Sequence, residues 1–249
     1  VIPIPFRTGP AQPLLPGFAI AIFDEGSSPP PGTQIGTPPQ TPLGFASATT
    51  QEGVYQFTVP AGSPLTDGSH FLTARIQMID PSVAQQTGFG GRSQSLEIVV
   101  DTVPPPVFFG SAADPDDGLT PDPGVTPQPP TFVDNKTNDR TPTFWGTAEA
   151  DAIIRVWADL TPDNGADNFD VLLGLTVAEP LDGTNQFPNG QWRVTSTVDL
   201  NDPAFFPLDG LRRILVTAED PAGNTAPPAG VAAQFLEIFV DTQGPQVFG

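Results

Sequence analysis

The chain contains the heptapeptide Leu96-Glu97-Ile98-Val99-Val100-Asp101-Thr102, and it repeats this sequence as Leu236-Glu237-Ile238-Phe239-Val240-Asp241-Thr242. Six of the seven residues are identical, at an offset of 236 − 96 = 140 residues. In the first copy, apolar residues at alternate positions flank a glutamate, which is typical of a strand with one buried face. A strand that returns after a long interval indicates tandem homologous units.

The similarity extends to both sides of this strand. Downstream, Pro105–Phe108 is matched by Pro245–Phe248 at three of four positions. Upstream, Asp80-Pro81 corresponds to Asp220-Pro221 at the same offset of 140 residues. We therefore predict unit one at residues 1–103, unit two at residues 104–243 and the first residues of a further repeat at 244–249.

The composition predicts an all-β fold. Runs rich in Val, Ile, Phe and Thr alternate with turn-forming residues, among them 33 Pro and 25 Gly, and no window sustains helical periodicity. Each unit is expected to form an immunoglobulin-like β-sandwich, with a closed barrel as the alternative that spacing leaves open. The predicted strands lie near 17–23, 43–49, 54–59, 71–79 and 95–100 in unit one, and near 143–146, 153–158, 171–177, 191–197, 213–219 and 235–240 in unit two.

The charge limits the classes of partner. The net charge is −19, and Lys136 is the only lysine. Nucleic acids and anionic membrane surfaces both require clustered Lys and Arg, so we expect neither as a partner. No apolar run is long enough for membrane insertion. The sequence begins at Val1 without Met and closes inside a new repeat, so we expect it to be a piece of a longer protein.

The sequence offers little for catalysis. His70 is the only histidine and there is no cysteine, so neither a histidine-based triad nor a thiol nucleophile is indicated. The 28 acidic residues form many accidental pairs, and none is singled out as a glycosidase pair. We expect the chain not to be an enzyme.

Several motifs of unit two resemble the bacterial Ig-like tandem repeats of giant surface adhesins. Residues 134–150 (Asp-Asn-Lys-Thr-Asn-Asp-Arg-Thr-Pro-Thr-Phe-Trp-Gly-Thr-Ala-Glu-Ala) are similar to the opening of such a repeat. Gly190-Gln191-Trp192, Leu208-Asp209-Gly210 and Thr217–Asn224 are similar to its later strand starts and turns. The resemblance implies sandwiches strung end to end in a secreted or cell-surface bacterial protein, with neighbouring repeats as partners and often calcium between them.

Two regions depart from that pattern. Residues 1–16 are Pro-rich and lack the Asp-Asn-x-Thr opening, so the first strand of unit one is expected to be truncated or atypical. Unit two carries a long Asp- and Pro-rich insertion at about residues 112–133. Because calcium takes six to eight oxygen ligands from closely spaced carboxylates, we predict a calcium-stiffened joint there. Its candidate ligands are Asp101, Asp114, Asp116, Asp117, Asp134 and Asp139.

A second set of oxygen donors is weaker as a metal site. Sandwich topology is expected to bring the 163–170 loop and the Asp220–Asn224 hairpin to the same end of unit two as the joint. The alternative is that these Asp and Asn residues form turns and cap backbone amides. The secondary candidate ligands are Asp163, Asp167, Asp170, Asp220 and Asn224.

The tryptophans suggest a binding alternative. Trp192 is expected to face the core, whereas Trp145 and Trp157 are expected to point outward from adjacent strands. An exposed pair is suited to a glycan or to a host or cell-surface protein, and the alternative is that the two rings cover each other or lie beneath the long insertion. The sequence thus predicts a non-catalytic stalk that supports adhesion. The other readings are a carbohydrate- or protein-binding module and, third, an accessory domain of a secreted hydrolase.

Overall fold

A computed structural model describes residues 17–27, 41–51, 53–78, 90–110, 119, 135–160, 170–179, 190–206, 208–227 and 232–243. Every regular element in these ranges is a β-strand, which confirms the predicted all-β class. The chain divides into two compact units, Val1–Asp101 and Thr102–Gly249. These are unit one and unit two below.

Unit one contains one antiparallel sheet of five strands in the described residues. The strands are β1 (Phe18–Asp24), β2 (Gly44–Ala48), β3 (Tyr55–Gln56), β4 (Gly68–Met78) and β5 (Leu96–Val100). Their order across the sheet is β3-β2-β1-β4-β5. Alternate side chains of β1 and β4 form one face, where they pack with Tyr55 and Phe57. This core consists of Ile20, Ile22, Tyr55, Phe57, Leu72 and Ala74.

The described residues of unit two form two sheets that share one core. Its strands are β6 (Val107–Phe109), β7 (Lys136–Thr137), β8 (Thr143–Ala148), β9 (Ile153–Asp159), β10 (Val171–Val177), β11 (Gln191–Thr195), β12 (Gly210–Glu219), β13 (Thr225–Ala226) and β14 (Gln234–Val240). The larger sheet has the order β10-β9-β12-β14-β7, with β13 paired to β12, and the smaller has the order β11-β8-β6. Residues of both sheets belong to the same buried cluster, so unit two is layered.

Three aromatic rings of the smaller sheet form part of this core. Trp192 is buried, as predicted, and its ring meets Phe109 edge-on at 5.7 Å between centroids. Phe109 in turn meets Phe144 at 6.4 Å. Gly146 makes room for this cluster, because a Cβ there would lie 2.4 Å from Cζ2 of Trp192 and 2.0 Å from the carbonyl oxygen of Phe108.

Three short strands were not predicted. β6 has three residues, and β7 and β13 have two each. An alternation of period two needs about four residues before it can be recognised, so these strands leave no periodic signal. β12 also begins three residues earlier than predicted, at Gly210.

The two units repeat the same strand pairing. Gly68 of β4 pairs with Val100 of β5, and Gly210 of β12 pairs with Val240 of β14. The strand on the other side of β4 is β1, and the corresponding neighbour of β12 is β9. The order β2-β1-β4-β5 in unit one therefore corresponds to β10-β9-β12-β14 in unit two.

A close packing contact recurs at matching positions of both sheets. Gly44 of β2 faces Phe57, and a Cβ there would lie 2.8 Å from Cε2 of that ring. Gly174 of β10 faces Val194, and a Cβ there would lie 2.7 Å from its Cγ1. The repeat therefore includes Gly44 and Gly174, which do not stand out as a repeat in the sequence.

The strands give unit two a proximal and a distal end. The chain passes from Thr102–Pro106 into β6 at the proximal end, where Val107 pairs with Ala148. Antiparallel pairing then places Ile153 and Glu219 at the proximal end, and Asp159, Gly210 and Val240 at the distal end. β9 has seven residues, so the two ends are about 20 Å apart at roughly 3.3 Å per residue.

Candidate functional site at the distal end of unit two

A polar cluster holds the strand that leaves unit two. The side-chain Oδ1 of Asp209 accepts hydrogen bonds from the hydroxyl of Thr242 at 2.8 Å, from its backbone amide at 3.1 Å and from Nδ2 of Asn201 at 2.8 Å. Asn201 also donates to the hydroxyl oxygen of Thr242 at 3.1 Å. Its Oδ1 accepts from the backbone amide of Asp209 at 2.7 Å. These bonds connect three separate segments of the chain.

Arg212 lies behind this cluster. Its Nε donates to the carbonyl oxygen of Leu200 at 2.9 Å, and its Nη2 lies 3.4 Å from Oδ1 of Asn201. The guanidinium also stacks over Phe206, 5.1 Å from the ring centroid. Arg212 and Asn201 are each only 4% exposed, so both are positioned by packing as well as by hydrogen bonds. We define Asn201, Asp209, Arg212 and Thr242 as the distal clamp.

Local backbone geometry brings Asp209 to this position. Asp209 has a φ of 36° and Gly210 has a φ of 140°. Asp is among the non-glycine residues that enter the left-handed region most readily, and glycine enters it without the steric penalty of a Cβ. The Asp-Gly pair therefore turns the chain sharply into β12 and directs the carboxylate of Asp209 towards the end of β14.

The electrostatics of the distal clamp favour its charged form. Hydrogen bonds from the side chain and backbone of Thr242, and from the side chain of Asn201, lower the pKa of Asp209, although burial opposes them. Burial lowers the pKa of Arg212, and the Asp209 carboxylate opposes that change. Arginine keeps its proton in proteins, so the distal clamp contains one anion and one cation. Its hydrogen bonds hold Thr242.

The last strand is also secured along its edge. β14 pairs in parallel with β7, the second strand of the unit. The backbone amide of Phe239 donates to the carbonyl oxygen of Asn135 at 2.7 Å, and that of Asp241 donates to Thr137 at 2.9 Å. Tension along β14 towards its carboxyl end would load these two bonds in shear, because both strands run in the same direction.

The predicted ligands do not gather at one end of unit two. Asp139 and Asp170 lie at the distal end, whereas Asp220 and Asn224 lie at the proximal end, after Glu219. The expectation that the 163–170 loop shares an end with the Asp220 hairpin is therefore wrong. It is wrong because β9 and β12 are antiparallel neighbours, so the residues that follow β9 and those that follow β12 lie at opposite ends of the sheet.

The candidate carboxylates that the structure describes accept hydrogen bonds from amides of the same chain. Oδ1 of Asp139 accepts from the backbone amide of Thr141 at 2.9 Å, and Oδ1 of Asp170 accepts from the amide of Leu160 at 3.0 Å. Asp220 accepts from the backbone amide and side-chain amide of Asn224, both at 2.8 Å. Burial would raise the pKa of Asp220, but hydrogen bonds from Asn224, Ala222 and Gly223 lower it overall.

Most of the predicted calcium ligands lie outside the described part of the chain. No group of three acidic, histidine or cysteine side chains arranged to hold a metal occurs among the described residues. Asp101 is half-buried and follows β5 in unit one. The remaining candidates lie outside the described residues: Asp114, Asp116, Asp117, Asp134, Asp163 and Asp167. The calcium assignment to these positions stays a prediction.

The two outward tryptophans do not form a pair. Trp145 lies on β8 in the smaller sheet, and Trp157 lies on β9 in the larger one. Both are half-buried, and they point away from one shared core on opposite faces of unit two. Nε1 of Trp157 donates to the hydroxyl of Thr217 at 3.1 Å. The expectation of adjacent strands is therefore wrong, and neither a joint aromatic platform nor mutual cover exists.

Only two of the four residues of the distal clamp belong to motifs that can be recognised in the sequence. Thr242 belongs to the repeated heptapeptide, and Asp209 belongs to the Leu-Asp-Gly motif. Asn201 and Arg212 lie in no motif, so the sequence gives no sign that they meet. A nearby ion pair joins Nη2 of Arg140 to Oδ2 of Asp199 at 2.7 Å. It could not be predicted from the sequence either, because its partners are 59 residues apart.

No protein-family profile matches the chain, and no curated protein matches it. Seven chains of solved structures match. One of them, "Biofilm associated protein - BSP domain", is 14% identical and has a TM-score of 0.26. The match covers 92% of this chain and 25% of that one, so the present chain spans about a quarter of that structure's length. At this TM-score the likeness does not establish a shared fold.

Within the described part of the chain, no helix is long and apolar enough to cross a membrane.

Proposed function

We propose that the two units are consecutive immunoglobulin-like repeats that form a non-catalytic structural spacer in an extracellular or cell-surface bacterial protein and support its adhesion. The bacterial surface location comes from the motif resemblance of unit two. The spacer role comes from the way in which the last strand of unit two is held. The partners of such a spacer are the neighbouring repeats of the same polypeptide.

The strand order of unit two supports the immunoglobulin type. An immunoglobulin variable domain places strands A, B and E in one sheet and strands C′, C, F and G in the other. The smaller sheet has β6, β8 and β11 in the positions of A, B and E, and the larger sheet has β10, β9, β12 and β14 in the positions of C′, C, F and G. Unit one repeats the second of these sets as β2-β1-β4-β5.

The parallel pairing of β7 with β14 carries the proposal. A spacer must transmit tension from its first strands to its last strand. Bonds that are loaded in shear resist together, whereas bonds at the end of a peeled strand break one at a time. The distal clamp adds hydrogen bonds to Thr242, directly after the strand that bears the load.

The hydrogen bonds of His70 support a non-catalytic role. His70, the only histidine, has both ring nitrogens hydrogen-bonded, to Asp24 and to the carbonyl oxygen of Thr66. Its side chain is 10% exposed. A general base needs a lone pair that is accessible to a substrate proton, so this arrangement favours a structural role for His70.

Single-molecule pulling on the full chain tests the proposal. We expect unit two to unfold in its own event, releasing on the order of 100 residues, or roughly 35 nm at about 3.5 Å per residue. Asp241→Pro removes the amide that bonds to Thr137 and should lower the unfolding force. Asp241→Ala keeps that amide and is the matched control. Equal forces for the two variants would contradict a load-bearing role for the β7–β14 pairing.

A further inference from the structure

His70 is held between two acceptors in unit one. Its Nδ1 lies 2.7 Å from Oδ2 of Asp24, and its Nε2 lies 2.7 Å from the carbonyl oxygen of Thr66. The residue is 8% exposed and lies on the core face of β4, two residues before Leu72. Asp24 is the last residue of β1, so the imidazole connects β1 to the turn that precedes β4.

The chemistry of the two acceptors sets the protonation state. A carboxylate and a carbonyl oxygen can only accept hydrogen bonds, so both ring nitrogens must donate. Only the imidazolium has two N–H groups. The neutral ring would direct a lone pair at one of the oxygens, at a distance of 2.7 Å. The folded unit is therefore built around the protonated form.

The other charged groups near this strand do not compete for the imidazole. Alternation along β4 and β5 places the cluster of Glu25, Arg75 and Arg92 and the exposed Glu97 on the opposite face of the sheet. Among the described residues, the other carboxylates at this end are Asp67 and Asp101, which flank the Gly68–Val100 pair. Negative charges there favour the imidazolium as well. Asp24 is the charged partner in hydrogen-bond contact.

Unit two has a permanent cation at the corresponding position. His70 pairs with Ile98 of β5, and Arg212 pairs with Ile238 of β14, its counterpart in the repeated heptapeptide. Both side chains are buried, and both donate to a backbone carbonyl oxygen, His70 to Thr66 and Arg212 to Leu200. The repeat thus places a buried cation at this site twice, once as a titratable group and once as a group that stays charged.

We infer that His70 makes unit one a proton-dependent module, which loses stability when the imidazolium is neutralised, whereas unit two, with Arg212 at the same position, does not respond. This goes beyond the spacer role, since a spacer needs no response to pH. The hydrogen bond to Thr66 raises the pKa of His70 most, burial opposes it, and Asp24 raises it further.

The direction in which the stability of unit one changes with pH follows from the raised pKa of His70. A histidine in an unfolded chain titrates near about 6.5. Because the folded pKa lies above this value, the stabilisation is fully present below about pH 6.5 and is lost as the pH rises through the folded pKa. Unit one should therefore be more resistant to urea at pH 5.5 than at pH 8.5.

The full chain offers a direct measurement, because its only histidine gives a single set of ring signals in NMR spectra. We expect the titration midpoint of these signals to be higher in the folded chain than in the same chain unfolded in urea. Asp24→Asn should move the folded midpoint down. A folded midpoint at or below the unfolded one would overturn the inference without any variant.

Stability is followed separately in each unit. The backbone amide signal of Leu72 reports on unit one. Fluorescence of the three tryptophans, Trp145, Trp157 and Trp192, reports on unit two. We expect the urea midpoint of unit one to fall between pH 5.5 and pH 8.5 in the wild-type chain and to stay unchanged over this range in His70→Gln. The tryptophan midpoint should show no such fall.

Two further outcomes decide against the inference. If His70→Gln kept the fall in the midpoint of unit one, another group would be responsible. If the tryptophan midpoint fell by the same amount in the wild-type chain, the response would not be specific to unit one. Should His70→Gln fail to fold, the titration midpoints of the wild-type and Asp24→Asn chains still decide the question.

Discussion

The carboxylate of Asp209 lies 2.8 Å from the hydroxyl of Thr242, although the two residues are 33 positions apart in the sequence. Asp209 turns the chain into β12, and Thr242 is the second residue after β14. This bond ties the start of one strand to the end of its neighbour, at the point where the chain leaves the sheet.

Removing Asn201 should weaken the distal clamp. In Asn201→Ala, Asp209 loses the Nδ2 donor and its backbone amide loses the Oδ1 acceptor. Asn201 is buried, and a hydrogen bond typically contributes about 0.5–1.5 kcal/mol to stability, so we expect a loss of at least this size. Urea unfolding followed by tryptophan fluorescence measures it. Gln234→Ala is the control, because Gln234 is an exposed amide side chain at the other end of β14.

Acid should destabilise unit two through Asp209 and Asp220. Hydrogen bonds lower the pKa of both carboxyls below the value in an unfolded chain, about 3.9. Their stabilising contribution is therefore present above about pH 4 and is lost as the pH falls through the lower folded pKa values. The urea midpoint of unit two, followed by tryptophan fluorescence, should be level from pH 7 to pH 5 and decrease below pH 4. Asp209→Asn and Asp220→Asn should each flatten that decrease, and an unchanged acid limb in both would contradict the assignment.

A methyl group at Gly146 should disrupt the core of unit two. The added Cβ would collide with the carbonyl oxygen of Phe108, which is backbone and cannot move aside, and with the ring of Trp192. Overpacking a core typically costs about 1–3 kcal/mol, and we expect Gly146→Ala to reach at least this range. Gly62→Ala is the matched control, since nothing lies within 4 Å of its added Cβ. Equal stability of the two variants in urea would contradict the packing.

Calcium should stabilise the chain through the predicted ligands of unit two. We expect millimolar calcium to raise the thermal midpoint and EDTA to reverse it, because a ligand bound only by the folded chain stabilises it. Replacing Asp114, Asp116 and Asp117 together by Asn should abolish the shift. Asp139→Asn should reduce it, because Asp139 is also a predicted ligand, while Asn keeps the acceptor for Thr141. No shift with calcium would refute the metal assignment.

The alternation of buried and exposed side chains made most strands predictable. The bounds of β10, Val171–Val177, agree with the prediction at both ends, and Trp192 faces the core as its neighbours indicated. β7 could not be predicted, because it has only two residues and joins the sheet through backbone bonds. Whether such a short segment forms a strand depends on the neighbour with which it pairs and not on its own side chains.

The candidate site was less predictable for a chemical reason. Closely spaced Asp and Asn residues are typical both of calcium loops and of turns, because the same oxygens accept from cations and from backbone amides. In Asp220 the amides of its own hairpin occupy the carboxylate. The distal clamp needed a different kind of information, namely which loops meet at the same end of the unit. That depends on strand direction, which residue types do not reveal.

The separate anchoring of β6 and β7 has a consequence for how such a chain can change. β6 is paired in the smaller sheet and β7 in the larger one, so each is positioned by its own neighbour. Between them, Leu119 bridges to Phe144 of β8 and packs against the core. A change in the length of this connection that keeps Leu119 in place therefore leaves the pairing of both strands intact, and this connection is the place in unit two where new sequence can be acquired and selected without loss of the fold.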